Sequence, residues 1–197
     1  MRISGSGGDA MTQLGTTSSV SAGRFSRWNL FGSSLPASGS SRTLFGSISD
    51  DEQTGLIAAV VYDGVHQTTP VGDSDVATGG TTASTTIAPG DGLTATLTTL
   101  AGDKVVGIIS AITLGGVNAI VSVTGTGITV VTQDDMLLEH LIIVEVDAVG
   151  SSTTVAPTIT FTSSTDAQFE MRTYVVQAAA GGGQAPRSMH QHRLRRA

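Results

Sequence analysis

Four histidines, His66, His140, His190 and His192, and several clustered carboxylates are the side chains here that could carry acid–base or metal chemistry. His190 and His192 stand two apart, a spacing that turns both rings the same way on an extended segment and suits a metal, but no third ligand lies nearby. His66 and His140 have no identifiable partner to orient them, as a general base requires. Both read as structural. Asp50, Asp51 and Glu52, and Asp134 and Asp135, are carboxylates of the type that glycoside cleavage uses in pairs. Adjacent in sequence, they read instead as solvated loops. Asp73, Asp75 and Asp91 lie in or beside loops of the oxygen-rich kind that calcium favours, but no twelve-residue calcium loop surrounds them. Turn formation accounts for them more simply. The sequence lacks a G-x-S-x-G elbow, a Walker A loop, an H-E-x-x-H pair and a dinucleotide glycine fingerprint leading into a helix. It has no cysteine, which excludes disulfides, thiolate zinc sites and a cysteine nucleophile. The expectation is a protein that is not an enzyme, with no cofactor and no metal.

The elements that would position these residues are strands. Hydrophobic residues make up 39% of the 197-residue chain and charged residues 13%, about half the usual charged share of roughly 25%. So little charge does not favour disorder of the whole chain. The abundant Val, Ile and Thr suit a pleated, half-buried surface. From Leu56 to Gln177, short apolar or alternating runs are punctuated by Gly, Pro and Asp. Leu56–Tyr62 reads as a strand, Asp63–Gly64 as a tight turn and Val65–Thr69 as its hairpin partner. Pro70–Gly80 reads as a polar loop. In Leu93–Thr98 the apolar residues Leu93, Ala95 and Leu97 alternate with threonines, a period of two. Lys104–Ile112 reads as a strand buried on both faces. Further strands are expected at Val117–Thr124, Ile128–Thr132, Leu141–Val146, Thr158–Thr162 and Phe169–Gln177, with a turn of helix allowed at the start of Gln133–Ile143. About eight or nine strands with short turns predict an all-β antiparallel sandwich, jelly-roll-like, with extended N- and C-terminal arms.

Composition divides the chain into a Gly/Ser-rich N-terminal arm, residues 1–49, a body, residues 50–177, and a basic tail, residues 178–197. Charge follows the same division. Between Thr43 and Met171, Lys104 is the only base against fifteen acids, a net of −14, while the remaining segments carry nine bases and one acid, a net of +8. Basic ends on an acidic body point to docking on acidic surfaces, with neighbouring copies the first choice. The N-terminal arm holds the sole Trp and three of the five Phe. Trp and Arg are favoured interface anchors, so Arg24, Phe25, Arg27, Trp28, Leu30 and Phe31, with Arg193, Arg195 and Arg196 of the tail, are the expected subunit-interface residues. Nucleic acid is not an expected partner: three or four cations give weak, salt-sensitive binding, and no aromatic residue interleaves them for base stacking. Met1–Ala10 lacks the apolar core of a signal peptide, and the longest apolar run is too short to cross a bilayer, so neither a leader nor a membrane is expected.

Three short stretches carry a resemblance. Val60-Val-Tyr-Asp-Gly-Val-His66 resembles a recurrent V-x-Y-x-G-V hairpin, Leu100–Ser110 resembles an A-G-D turn leading into a buried strand, and Pro157–Thr162 precedes a final strand through Tyr174. Together these are similar to β-sandwich modules encoded among tailed-bacteriophage structural genes and bacterial surface proteins, over residues 56–177. The resemblance implies a virion structural role, as capsid decoration or a head or tail accessory protein assembled in the host cytoplasm, with other copies and other virion proteins as partners. A glycan-binding fibre or adhesion module is the alternative, through loops at Pro70–Gly80 or Gly150–Val155, although these loops contain almost no aromatics for sugar stacking. A capsid shell protein with a genome-facing tail is a further alternative. No catalytic residues are implied.

Overall fold

The computed structural model describes the backbone of residues 2–4, 12–13, 18–20, 23–25, 28–29, 43–45, 55–66, 68–136, 138–179 and 186–196, and side chains at 60, 62, 64–66, 68–135, 138–179 and 186. Short strands come first: β1 (Arg2–Ser4), β2 (Thr12–Gln13), β3 (Ser18–Val20), β4 (Gly23–Phe25), β5 (Trp28–Asn29) and β6 (Thr43–Phe45). They pair as β1–β6, β2–β5 and β3–β4. The body follows with β7 (Gly55–Asp63), β8 (Val71–Ile87), β9 (Ala95–Thr98), β10 (Lys104–Leu114), β11 (Ile120–Thr124), β12 (Thr129–Met136), β13 (Glu139–Asp147), β14 (Ser152–Val155) and β15 (Thr158–Val176). The last strand is β16 (Arg187–Arg196). Every pairing is antiparallel. The fold is all-β, as expected, and eight strands, β8 to β15, lie between Val71 and Val176.

β15 organises the main sheet. Along one edge it pairs with β10 and, nearer its start, with β11; along the other it pairs with β8 for most of its length. β13 and β12 extend the sheet beyond β10. The alternation of strand side chains divides this sheet into two faces. Val105, Ile109 and Ala111 of β10 share one face with Ile142, Val144 and Val146 of β13 and Phe169, Met171 and Val175 of β15. The two-stranded ribbon β9–β14 covers it with Ala95, Leu97 and Val155, with Leu93 just before β9. The expected alternation there holds: Leu93, Ala95 and Leu97 are buried, and Thr94, Thr96 and Thr98 are exposed. Each large aliphatic or aromatic side chain buried here contributes about 1.5–3 kcal/mol. Gly107 faces the ribbon, and a Cβ at this position would lie 2.9 Å from Val144 Cγ2 and 3.4 Å from Val155 Cγ1. The missing side chain lets the ribbon approach the sheet. The opposite face carries a second cluster, Val106, Val131, Ile143 and Val176, with Val60 and Tyr62 of β7 and Val65 packed on it. β10 is therefore buried on both faces, as expected of it.

Four expectations are corrected. β7 pairs with β16, from Asp63 opposite Arg187 to Gly55 opposite Arg196, not with Val65–Thr69. Those residues form a connection in which Val65 bridges to Ala178 and the His66 amide donates to the Gln177 carbonyl. Pro70–Gly80 is not a loop: Val71–Ile87 runs as one strand, because most of its length finds a ladder on β15, interrupted by register shifts, despite the polar sequence. No helical turn forms at Gln133. β12 and β13 make a hairpin with Asp135 opposite His140 and Met136 opposite Glu139, and Leu137 at its tip lies outside the described residues. The strands expected at Thr158–Thr162 and Phe169–Gln177 are one strand, β15, with register shifts against β8.

Candidate functional site

Sequence reasoning found no partner for His140, and the fold supplies one. Asp135 stands directly across the β12–β13 hairpin, and its Oδ1 lies 2.8 Å from His140 Nδ1. On the other side of the ring, His140 Nε2 is 3.4 Å from Thr113 Oγ1. A hydroxyl, an imidazole and a carboxylate thus stand in line, the order used to activate a nucleophile. Accessibility decides against that chemistry. His140 is 1% exposed and Thr113 0%, and the imidazole packs against the Phe161 ring with centroids 5.3 Å apart. The Thr113 amide also donates to the Leu138 carbonyl, 2.9 Å away, which ties the hydroxyl's strand to the hairpin tip. The arrangement cross-links three strands. The signal in the sequence was the five-residue separation of Asp135 and His140, which becomes a cross-strand pair only once the hairpin register is known.

The second face of the sheet holds a denser polar group. The Tyr62 hydroxyl of β7 donates to Glu145 Oε1 at 2.6 Å. Lys104 Nζ lies 3.2 Å from Glu145 Oε2 and 2.6 Å from Asp147 Oδ1. Burial, then the hydrogen bond to Glu145 and the charge of that carboxylate, push the Tyr62 phenol far above the ordinary tyrosine value, so it remains a donor. For Lys104 burial pulls downward, but hydrogen bonding to Asp147 and the charge of Glu145 outweigh it and the ammonium is held above its ordinary value. The group is a fastener that fixes β7 to the sheet. Beside it on the same face, Arg172 Nε donates to Glu170 Oε1 at 2.7 Å.

Five other carboxylates are engaged by backbone amides. Asp91 Oδ2 accepts from the Ala88 amide at 2.8 Å, Asp103 from the Leu100 and Ala178 amides at 2.9 Å each, and Asp166 from the Ala83 amide at 2.7 Å. Asp75 accepts from the Val76 amide at 2.8 Å. Asp73 accepts from Thr98 on β9 and from Ser74, both at 2.8 Å. These two backbone bonds, Thr98's first, hold Asp73 below the ordinary aspartate range. A depressed carboxylate stabilises the fold above its unfolded value, about 3.9, and that stabilisation is lost as pH falls through the lower folded value. Asp73→Ala is therefore expected to lower the urea midpoint at pH 7, with the gap from the parent protein narrowing as pH falls below about 3.9. An unchanged gap at acid pH would show that the charge is not what ties β8 to β9.

Among the described residues no three His, Cys, Asp or Glu side chains group closely enough to hold a metal. Asp134 and Asp135 are neighbours on one strand and so point to opposite faces, which prevents them from flanking a single glycosidic bond. Asp50, Asp51 and Glu52 lie outside the described residues. His66 Nδ1 accepts from the Thr69 amide at 3.1 Å, which makes the ring a brace for its own connection. Both stretches suggested for sugar binding contain strand, β8 and β14, and the described Phe161, Phe169 and Tyr174 rings are buried. A shallow depression of about 240 Å³ lies over Gly80, Thr81, Leu114, Asp166 and Gln168, without an aromatic wall.

The expected interface residues are placed as follows. Arg24 and Phe25 lie on β4, opposite Ser19 and Ser18, and Trp28 lies on β5 opposite Gln13. Arg27, Leu30 and Phe31 lie outside the described residues. Arg193, Arg195 and Arg196 lie on β16, opposite Ala58, Leu56 and Gly55, and His190 and His192 stand on the same strand opposite Val61 and Ala59. The tail's register with β7 was not readable from a basic sequence with little apolar alternation. Among the described residues no helix is long and apolar enough to cross a membrane. The fold and these placements define the class, an antiparallel all-β protein whose described polar clusters fasten strands together. No family model, no curated protein and no solved structure matches the chain.

Proposed function

We propose that the chain is a virion structural protein, a capsid decoration or head/tail accessory component, that joins other copies and other virion proteins through its terminal segments. The observation that carries this reading is the division of charge: fifteen acids against one base from Thr43 to Met171, and nine bases against one acid elsewhere. Such a chain repels its copies body to body and attracts them end to body, which favours ordered contact over random association. The polar groups within the body fit a scaffold role. They are buried or bonded to backbone, and they spend their hydrogen bonds on holding strands in place. The candidate anchors combine guanidinium and aromatic groups, the side chains that contribute most at interfaces.

The test is incorporation into particles. Full-length protein with Arg24, Arg27, Trp28 and Phe31 changed to alanine is expected to fold with the parent's circular dichroism and to be lost from purified particles. Deletion of residues 1–49 is expected to do the same. Normal incorporation of both variants would overturn the anchor role. Dissociation of the parent protein from its particle should also rise with salt, because exposed charge pairs are screened over about 8 Å at physiological ionic strength.

A further inference from the structure

We propose that β16 is an exchangeable strand: each copy can lay it on its own β7 or on the β7 of a second copy. The inference rests on the assembly reading above and names the element that would link the copies. Its first support is the asymmetry between the two strands. β7 is fastened to the body by the Tyr62–Glu145 hydrogen bond of 2.6 Å and by Val60 and Tyr62 packed on Val106, Val131, Ile143 and Val176. β16 has β7 as its one strand partner among the described residues. The acceptor is thus fastened to the body by side chains, while the donor is held mainly by its ladder to β7, with a smaller contact to β12, and a second copy offers both.

The second support is the connection. β15 ends at Val176, and the Ala179 amide donates to the Gly64 carbonyl at 2.8 Å, beside the point where β16 begins opposite Asp63. Residues 180–185 join these points and include Gly181, Gly182 and Gly183, a linker composition. Eight steps from Ala179 to Arg187 span up to roughly 28 Å when extended, enough to reach a copy in contact. Exchange replaces each β7–β16 pair by an identical one, so its cost reduces to association and linker terms. A short linker holds its own strand at a millimolar-scale effective concentration. Dilute protein therefore closes on itself, and copies crowded in an assembly compete.

The third support is selectivity. β16 carries Arg187, Arg193, Arg195 and Arg196 and no acid, which matches the acidic body of any copy. The long strand β8 is less receptive to an added strand. Its Ser74 and Val76 amides are already engaged by Asp73 and Asp75 at 2.8 Å, a charged guard of the kind that discourages strand addition.

The chain's lack of cysteine makes a direct test possible. Ala59 stands opposite His192 and Ala58 opposite Arg193. Full-length chains bearing A59C alone and H192C alone are mixed over a concentration series, oxidised and resolved without reductant. The expected product is an A59C–H192C heterodimer, severalfold above the share given by random collision and rising with concentration. The double variant A59C/H192C is expected to close within one chain when dilute, with A58C/R193C as the second pair. Intrachain closure with no excess heterodimer at any concentration would overturn exchange. Failure of both pairs to close would remove the β7–β16 ladder and the proposal with it. Particle incorporation tests the assembly reading separately: a chain that enters no particle but yields the heterodimer still exchanges strands.

Discussion

Replacing Arg172 with methionine is expected to lower the unfolding free energy by about 3–5 kcal/mol, the usual cost of removing one partner from a buried ion pair. Arg172 and Glu170 stand two apart on β15, on the face that also carries Val106 and Tyr174, and are 9% and 3% exposed. The methionine fills much of the volume of the arginine stem, so the loss is electrostatic rather than a cavity. It removes the guanidinium 2.7 Å from Glu170 Oε1 and weakens the pairing of a carboxylate that is 3% exposed. Two consequences separate this account from simple loss of packing. The double variant Glu170→Met with Arg172→Met removes both charges and should recover most of the lost stability, since apolar replacement of a whole buried pair is often neutral or favourable. The single variant's deficit should also be smaller at pH 4 than at pH 7, because a carboxyl that has lost its guanidinium in a poorly solvated site takes up a proton more readily than the same group in the unfolded chain. Urea unfolding of the three proteins at pH 7 and pH 4 measures both. A single variant within about 1 kcal/mol of the parent at pH 7 would show that the pair is solvated, as surface pairs of that strength are.

That pair illustrates what the sequence made legible. Strands whose two faces differ in polarity, or that are largely apolar, were readable from local pattern: Leu93–Thr98 through its alternation and Lys104–Ile112 through its near-continuity. The class followed from these, because the reading requires only that short β-prone segments alternate with turns. β8 was missed for the opposite reason. Its sequence, Val-Gly-Asp-Ser-Asp-Val-Ala-Thr-Gly-Gly, has the composition of a loop, and it is a strand because β15 offers it a ladder. Tertiary pairing overrides weak propensity, as it does for strands generally. The pairing of β7 with β16 joins segments more than a hundred residues apart, and only the local alternative, a hairpin at Asp63–Gly64, was visible in sequence. The candidate polar groups follow the same rule. Asp135 and His140 become partners through hairpin register, whereas Tyr62 and Glu145 meet because two distant strands are layered. Residue type identified the histidines and carboxylates as worth examining, and their neighbours decided that they act as braces.

Substituting alanine for Gly79 is expected to destabilise the fold by about 3 kcal/mol, the upper part of the usual range for overpacking. Gly79 lies on β8 opposite Phe169, where the 3-10 turn Pro89–Asp91 passes over the strand. A Cβ at position 79 would collide with the Asp91 carbonyl oxygen and lie 2.8 Å from Phe169 Cζ. The second contact is with the far end of a side chain, but Phe169 is 0% exposed and has little room to move. The first is with backbone, and it yields only if the turn shifts. Moving the turn disturbs the Asp91 carboxylate on the Ala88 amide and the burial of Leu93 just beyond it. The effect should therefore spread from one methyl group to the seam between β8 and β9. Gly90, within the same turn, has nothing within 4 Å of an added Cβ. Gly90→Ala should be neutral or slightly stabilising, by up to about 1 kcal/mol, because it removes freedom only from the unfolded chain. The two substitutions add the same atoms at one contact, on the strand beneath the turn and within the turn itself, and differ in what those atoms meet. Thermal and urea unfolding of the two variants should separate them clearly. Equal midpoints would mean that the turn does not lie against β8 in solution, and the account of how this edge of the sheet is closed would have to be abandoned.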